Sequence, residues 1–232
     1  MTLQLLDKKK KLFFYLLLLI ILGTQIPKNQ NNKKNFTLKV NHIEVFGLSN
    51  ENNRKISENL NPLLLHNIFF IKKDYFDEIL KKNNLIESFY IQKFYPNKIK
   101  VNIKKTNFLA TTNQNNKKFY IGSNGKLILM ENTGNFNKKL PFVFSKNNFG
   151  DFVKLKKIID KSDFQFKEID SFYYFPSNRW DFKTNNGLLI KLPQKNLLEA
   201  LQFAHKVKLN EKINENKIID LRISNYMITY NE

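Results

Sequence analysis

Cysteine is absent from all 232 residues. That excludes a disulfide framework, a cysteine-ligated zinc, a thiol nucleophile and a lipid-modified cysteine anchor. Histidine is scarce and scattered at His42, His66 and His205, without the spacing of a metal-ligand set. With seven glycines in the chain, a glycine-rich phosphate loop has almost no place to form. No nucleophile–base or ligand constellation stands out. The expectation is therefore of no catalytic residue, no cofactor, no metal and no small-molecule substrate.

Apolar side chains make up 42% of the chain and aromatic ones 14%, enough for one or two domains with a real core. The net charge of +19 raises the question of nucleic acid or an anionic membrane. Lysine vastly outnumbers arginine, and about one residue in seven is asparagine. Together with isoleucine and phenylalanine this composition reads as a bias of AT-rich codons. The lysines are spread along the whole chain rather than gathered with stacking aromatics, so no nucleic-acid partner is expected.

One segment is unlike the rest. Lys8–Lys11 precede LFFYLLLLIIL at residues 12–22, with a weak extension to Ile26 before Pro27. As a helix, residues 12–26 span roughly 22 Å against a hydrocarbon core of about 30 Å, so lysines would have to snorkel at the ends. No small-residue cleavage site of the A-x-A kind follows. The segment reads either as a signal peptide or as an uncleaved anchor, and a single membrane-spanning anchor is the expectation. The short tail before it favours a cytoplasmic amino terminus. Residues 27–35 (PKNQNNKKN) read as a polar linker.

Residues 36–106 read as a first folded unit. Alternating apolar positions suggest a strand over residues 37–46, stopped at Gly47. Asn50 is a candidate cap for a helix carrying Ile56, Leu60, Leu63 and Leu64, with Pro62 near its end. Asp74 is a candidate cap for a second, whose inner face would be Tyr75, Phe76, Ile79 and Leu80. Two strands over residues 88–95 and 98–105 then meet at a Tyr95-Pro96-Asn97-Lys98 turn. In the second, Ile99, Val101 and Ile103 alternate with Lys98, Lys100, Asn102 and Lys104, the pattern of a half-buried sheet.

Residues 107–232 read as a strand-rich second unit. Short strands are expected over residues 119–121, 126–130, 140–144, 169–175, 179–183, 188–192, 218–223 and 226–230. Helices are expected over residues 152–160 and 194–208, the latter with Leu197, Leu198, Leu201 and Ala204 inward. Ser123-Asn124-Gly125 and Asn185-Asn186-Gly187 mark hairpin turns. Trp180 and Phe182 alternate on one strand and read as core. Asp220 and Arg222 flank Leu221 and read either as a pair or partner site, or as the solvent side of a strand.

The strand–helix–helix–strand–strand order of the first unit resembles a POTRA domain, and VNHIEVFGLS at residues 40–49 resembles its opening strand and turn. NNLIESFYIQKFYPNKIKVNIKKTNFLA at residues 83–110 resembles the hairpin of FtsQ/DivIB cell-division proteins, although a lysine, Lys104 or Lys105, stands where an acidic residue is usual and Asn107 near the usual proline. RWDFKTNNGLLIKLP at residues 179–193 and IIDLRISNYMI at residues 218–228 resemble two further segments of that family. With the basic tail and apolar segment in front, the resemblance covers nearly the whole chain.

The resemblance implies an α+β protein: a cytoplasmic tail (1–11), a transmembrane helix (12–26), a linker (27–35), a POTRA-like β-α-α-β-β domain (36–106) and a mixed domain of mainly antiparallel strands with helices packed on it (107–232). It implies a non-enzymatic division scaffold in the bacterial inner membrane, with its bulk in the periplasm and concentrated at the septum. It also implies FtsB and FtsL as partners and a part in recruiting and regulating septal peptidoglycan synthesis. FtsB would add a strand at the carboxyl-terminal edge, through Arg179, Leu221, Arg222, Ile223, Asn225, Tyr226, Ile228 and Tyr230. The physical counterpart is a last strand followed by two residues, which leaves its outer N–H and C=O groups free to pair. Another envelope protein with a POTRA module, acting in outer-membrane protein assembly or secretion, is the alternative. That reading requires repeated modules or a barrel of alternating ten-residue strands. A periplasmic hydrolase would need a convergent catalytic set.

Overall fold

The computed structural model describes residues 8–23, 38–133, 138–147, 149–209, 218–223 and 228–230. It divides into two units, residues 1–37 and 38–232. In the first, helix α1 (Lys8–Gly23) is 16 residues long, about 24 Å at 1.5 Å per residue. No helix among the described residues is long and apolar enough to cross a membrane. Residues 24–26 of the expected span lie outside the described residues.

The larger unit begins with a three-stranded sheet in the order β1-β3-β2, made of β1 (His42–Phe46), β2 (Ile86–Phe94) and β3 (Lys98–Lys105). β1 runs parallel to β3, and β2 antiparallel. Ile99, Val101 and Ile103 are buried as their alternation predicts, against Ile56 and Leu60 from helix α2 (Asn50–Asn59) and Phe76 and Leu80 from helix α3 (Lys73–Leu80). Gly47 has φ +112, and a Cβ there would sit 1.8 Å from the Ile103 carbonyl oxygen, so this turn admits glycine alone.

Several local expectations need correction. β1 starts at His42, because Leu38–Val40 pair instead with the loop at residues 65–68. The cap of α2 is Ser49, whose hydroxyl accepts from the Asn52 amide, rather than Asn50. Asp74 lies in the first turn of α3, not at its cap, and Lys72 holds the cap position. Tyr75 is exposed, since the inward stripe is set by Phe76 and Leu80 four residues apart, and position 75 is rotated away from it.

The second sheet has nine strands in the order β12-β11-β10-β9-β8-β7-β4-β5-β6. Its members are β4 (Phe108–Gln114), β5 (Lys117–Gly122), β6 (Leu127–Leu129), β7 (Phe142–Phe144), β8 (Ile169–Phe175), β9 (Arg179–Thr184), β10 (Leu189–Lys191), β11 (Ile218–Asp220) and β12 (Ile228–Tyr230). Helices α4 (Phe149–Ile159) and α5 (Leu197–Lys208) pack on one face. There Phe152, Leu155, Ile159, Leu201 and Ala204 meet Ile121, Val143, Phe172, Phe182, Ile190 and Ile219. Each fully buried side chain of this size contributes about 1.5–3 kcal/mol. Leu198, expected inward, is partly exposed, because the buried stripe of α5 runs through Leu201, Ala204 and Val207.

β4 was not expected. Its sequence, FLATTNQ, lacks an apolar alternation, yet it lies inside the sheet between β5 and β7. The buried Thr112 is satisfied by donating its hydroxyl to the Val143 carbonyl at 2.9 Å. The hairpin to β5 turns on Asn115 and Asn116, both with positive φ (48° and 61°), a conformation asparagine tolerates.

Candidate functional site

The nine-stranded sheet has two ends. β6 lies at one, against the module of the three-stranded sheet (residues 38–106), the first module of the larger unit. β12 lies at the other, paired only to β11 among the described residues: Ile218 faces Tyr230, Ile219 faces Thr229 and Asp220 faces Ile228. The outer backbone of β12 is therefore a sheet edge able to accept a further strand.

The registers of β8 to β12 set out what stands beside that edge on the face away from the helices. One cross-strand row reads Phe144, Tyr173, Asp181, Lys191, Asp220 and Ile228. Phe144 stacks on Tyr173 with ring centroids 4.8 Å apart. Arg179 donates its Nε to Asp181 Oδ1 at 3.1 Å, and its guanidinium lies 4.4 Å from the Phe175 ring. Arg222 donates its Nε to both Asp220 oxygens at 2.8 and 2.9 Å, and its backbone N–H to Oδ1 at 3.1 Å. The strip thus alternates cation and carboxylate from Arg179 to Arg222. Beside it, Tyr173, Phe175, Lys183 and Leu189 line a shallow pocket of ≈ 280 Å³.

The two carboxylates differ. Burial pushes Asp181 above its ordinary value, although the Arg179 hydrogen bond acts the other way. Burial also pushes Asp220 up, but the Arg222 side-chain and backbone hydrogen bonds and the charges of Arg222 and Lys191 outweigh it and hold Asp220 below its ordinary value. Asp220 is only 6% exposed although it stands on the face away from the helices. It is a buried carboxylate that Arg222 folds back to neutralise.

The structure distributes the eight expected contact residues unevenly. Ile223 and Ile228 are 57% and 49% exposed. Tyr230 supplies backbone to β12. Asn225 and Tyr226 lie outside the described residues. Leu221 corrects the expectation: its side chain is in the core and its N–H donates to the Lys191 carbonyl at 2.9 Å, so neither is available to a partner. β11 stops at Asp220 rather than running to Ile223. Arg179 stands on β9, three strands from the edge, and Arg222 is engaged with Asp220.

Asp181, Lys191, Phe144 and Tyr173 were not among the expected site residues. Part of the signal was present. In Arg179-Trp180-Asp181-Phe182-Lys183, once Trp180 and Phe182 point inward, Asp181 must share the other face with Arg179 and Lys183. Tyr173 faces Asp181 across the antiparallel β8–β9 hairpin, and that Phe144 joins them depends on the parallel β7–β8 register, which no local pattern reveals. Among the described residues, no group of three or more histidine, aspartate or glutamate side chains is placed to hold a metal.

Known proteins resemble this chain along most of its length. Residues 38–105 match the POTRA domain, FtsQ-type, and residues 110–222 match the family Cell division protein FtsQ/DivIB, C-terminal. The chain is 29% identical over 189 residues to the cell division protein FtsQ of Rickettsia bellii, covering 81% of this chain and 70% of that one. It is 28% identical to the FtsQ of Rickettsia felis over the same shares, and 24% identical over 141 residues to that of Rhizobium radiobacter, covering 60% and 67%. The major extracytoplasmic domain of DivIB from Geobacillus stearothermophilus shows a slight likeness, with TM-score 0.34 and 12% identity over 45% of this chain and 92% of that one. By the order and extent of both domain matches, the chain belongs to the FtsQ/DivIB family of cell division proteins.

Proposed function

We propose that this division protein acts as a non-enzymatic scaffold of the divisome. In this reading α1 anchors it in the inner membrane with the bulk of the chain in the periplasm, and FtsB, with FtsL, docks by adding a strand to β12. The observation that carries the reading is the outer edge of β12, unpaired among the described residues, with the exposed Ile223 and Ile228 near it. An added strand would satisfy the free main-chain groups, and Ile223 and Ile228 would supply apolar contact beside it. The alternating strip from Arg179 to Arg222 would select among partners by charge register more than it would add affinity. Its carboxylates are already paired within the sheet, so a partner meets a neutralised surface and no desolvated lone charge. Anchoring by α1 rests on the apolar run of residues 12–22 with lysines at its start.

The test is a titration of the full chain in detergent or nanodiscs with the periplasmic FtsB–FtsL complex of the same organism at near-physiological salt. Saturable binding is expected, with its loss in Ile228→Asp and weakening in Ile223→Asp while the circular dichroism spectrum is unchanged. Undiminished binding by both variants would falsify the edge-strand reading.

A further inference from the structure

The first module carries a second unpartnered surface, at its opposite pole from β6. Because β1 and β3 are parallel, the start of β1 and the turn between β2 and β3 lie at the same end of the three-stranded sheet. The loop at residues 65–70 is tied to that end. The Ile68 N–H donates to the Leu38 carbonyl at 2.9 Å, Lys39 bridges Asn67, and the Asn41 N–H donates to the Asn97 carbonyl at 3.0 Å. The end exposes Leu65, Phe69, Phe70, Phe94 and Tyr95, with Phe70 at 78%. Phe69 stacks on Tyr95 at 4.8 Å.

This tip is built rather than frayed. Leu65 holds a left-handed conformation (φ 67), rare for leucine, with its N–H bonded to the Val40 carbonyl. Asn67 receives the Phe69 N–H on its side chain and the Phe70 N–H on its carbonyl. Lys93 braces the loop through the Ile71 carbonyl at 2.7 Å. Lys39 and Lys72 are exposed around it, against one nearby exposed carboxylate, Asp74, while Lys73 directs its ammonium over the Phe89 ring farther along β2. Five large exposed apolar side chains at one tip, with lysines beside them, are the kind of surface that marks a contact.

The same end is where the chain enters the module. Residues 24–37 separate the apolar helix from Leu38, and Leu38 is itself hydrogen-bonded at the tip. Aromatic side chains favour the headgroup level of a bilayer, and lysines beside them are attracted to anionic lipid. From this juxtaposition we infer that the Leu65–Phe70–Tyr95 tip docks on the surface of an anionic phospholipid bilayer. The inference rests on the anchoring proposed above. It adds that the first module lies against the membrane instead of standing off on its linker.

The absence of native cysteine makes the test clean. The full chain is reconstituted into vesicles of phosphatidylethanolamine with phosphatidylglycerol, and into vesicles of phosphatidylcholine alone. A nitroxide is placed at Lys72→Cys beside the tip, or at Asn186→Cys on the turn after β9. Flotation reports anchoring independently of the tip. Spin-label accessibility to oxygen against a water-soluble nickel chelate reports the tip. The expected result is flotation in both lipids, with position 72 shifted toward oxygen only with phosphatidylglycerol and position 186 open to the chelate throughout. The shift at position 72 should be lost in Phe69→Ser/Phe70→Ser, with flotation retained. Flotation with position 72 open to the chelate overturns the tip contact and leaves the anchor standing. Equal shifts at both positions mean adsorption of the whole protein and also overturn it, as does an equal shift in both lipids. Shielding from both reagents indicates a protein contact, such as a second copy, and overturns it too. A chain that does not float overturns the anchor and, with it, the inference.

Discussion

The two ends of the nine-stranded sheet are treated in opposite ways. At the β6 end the first module closes over the edge with both polar and apolar contacts. Asn84 donates its side-chain amide to the Leu127 carbonyl at 2.8 Å, and Asn124 donates to the Asn84 and Ile86 carbonyls at 2.9 and 3.0 Å. Lys126 reaches the Lys81 carbonyl, Ser123 bonds Glu87, and Leu85, Tyr120 and Ile128 form a small buried cluster. At the β12 end nothing among the described residues covers the last strand. An exposed edge invites unwanted pairing, and proteins ordinarily cover or charge it. Among the described residues one end of the sheet is covered and the other is not, and the docking proposed at β12 rests on that contrast.

This contrast can be broken or sharpened by substitution. The largest effect should come from the shared core. Phe182 lies in the interior strand β9, 5.1 Å from the Phe164 ring and 6.0 Å from the Phe172 ring, and Phe182→Ala should cost about 3–5 kcal/mol in urea unfolding and weaken both ends together. Next is the closed end. Leu85→Ala, in the cluster with Tyr120 and Ile128, should cost about 2 kcal/mol, near the low end for such truncations because Leu85 is not wholly buried. It should leave FtsB–FtsL binding unchanged, and altered binding would show that the two ends are coupled. At the open end, Ile228→Asp should change stability by less than about 0.5 kcal/mol, as for an exposed position, while binding is lost.

The smallest effect is a difference in sign between Asp181 and Asp220. Asp220 is held below its unfolded value, so the stability it contributes is complete above the ordinary carboxylate pKa and is lost as pH falls through the lower folded value. Asp181 is raised by burial, so the folded state binds the extra proton and stability falls as pH rises from the ordinary to the raised value. Carboxyl-carbon NMR titrations should place the two on opposite sides of the ordinary value. Asp220→Asn should remove the low-pH loss and Asp181→Asn the opposing slope.

The elements legible in the sequence are those whose signal is local. β3 alternates because one face is buried and the other solvated. The turns at Gly125 and Gly187 carry glycines with positive φ. Helices α4 and α5 show their apolar spacing, with the boundaries shifted by a few residues and Leu198 misjudged. β4 was illegible because a strand flanked on both sides can bury threonine once a neighbouring carbonyl takes its hydroxyl, as Val143 does for Thr112. The candidate edge was legible as a terminal strand. That Leu221 is unavailable to a partner, and that Asp220 is buried, follows from the parallel pairing of β10 with β11, two strands separated by a helix in the chain.

By itself the sequence determined the composition of the parts: an apolar segment behind lysines, a strand–helix–helix–strand–strand module, and a strand-rich remainder without cysteine or clustered histidine. Side-chain periodicity and turn chemistry act over a few residues, so they are written in the chain directly. Only the tertiary structure decided which edge is covered and which is unpaired among the described residues, and which charges meet across β9, β10 and β11. It also decided that Leu38, Phe70 and Tyr95 share one pole. Those juxtapositions depend on strand order and register between distant segments, which are set by the packing of the whole and by no local pattern.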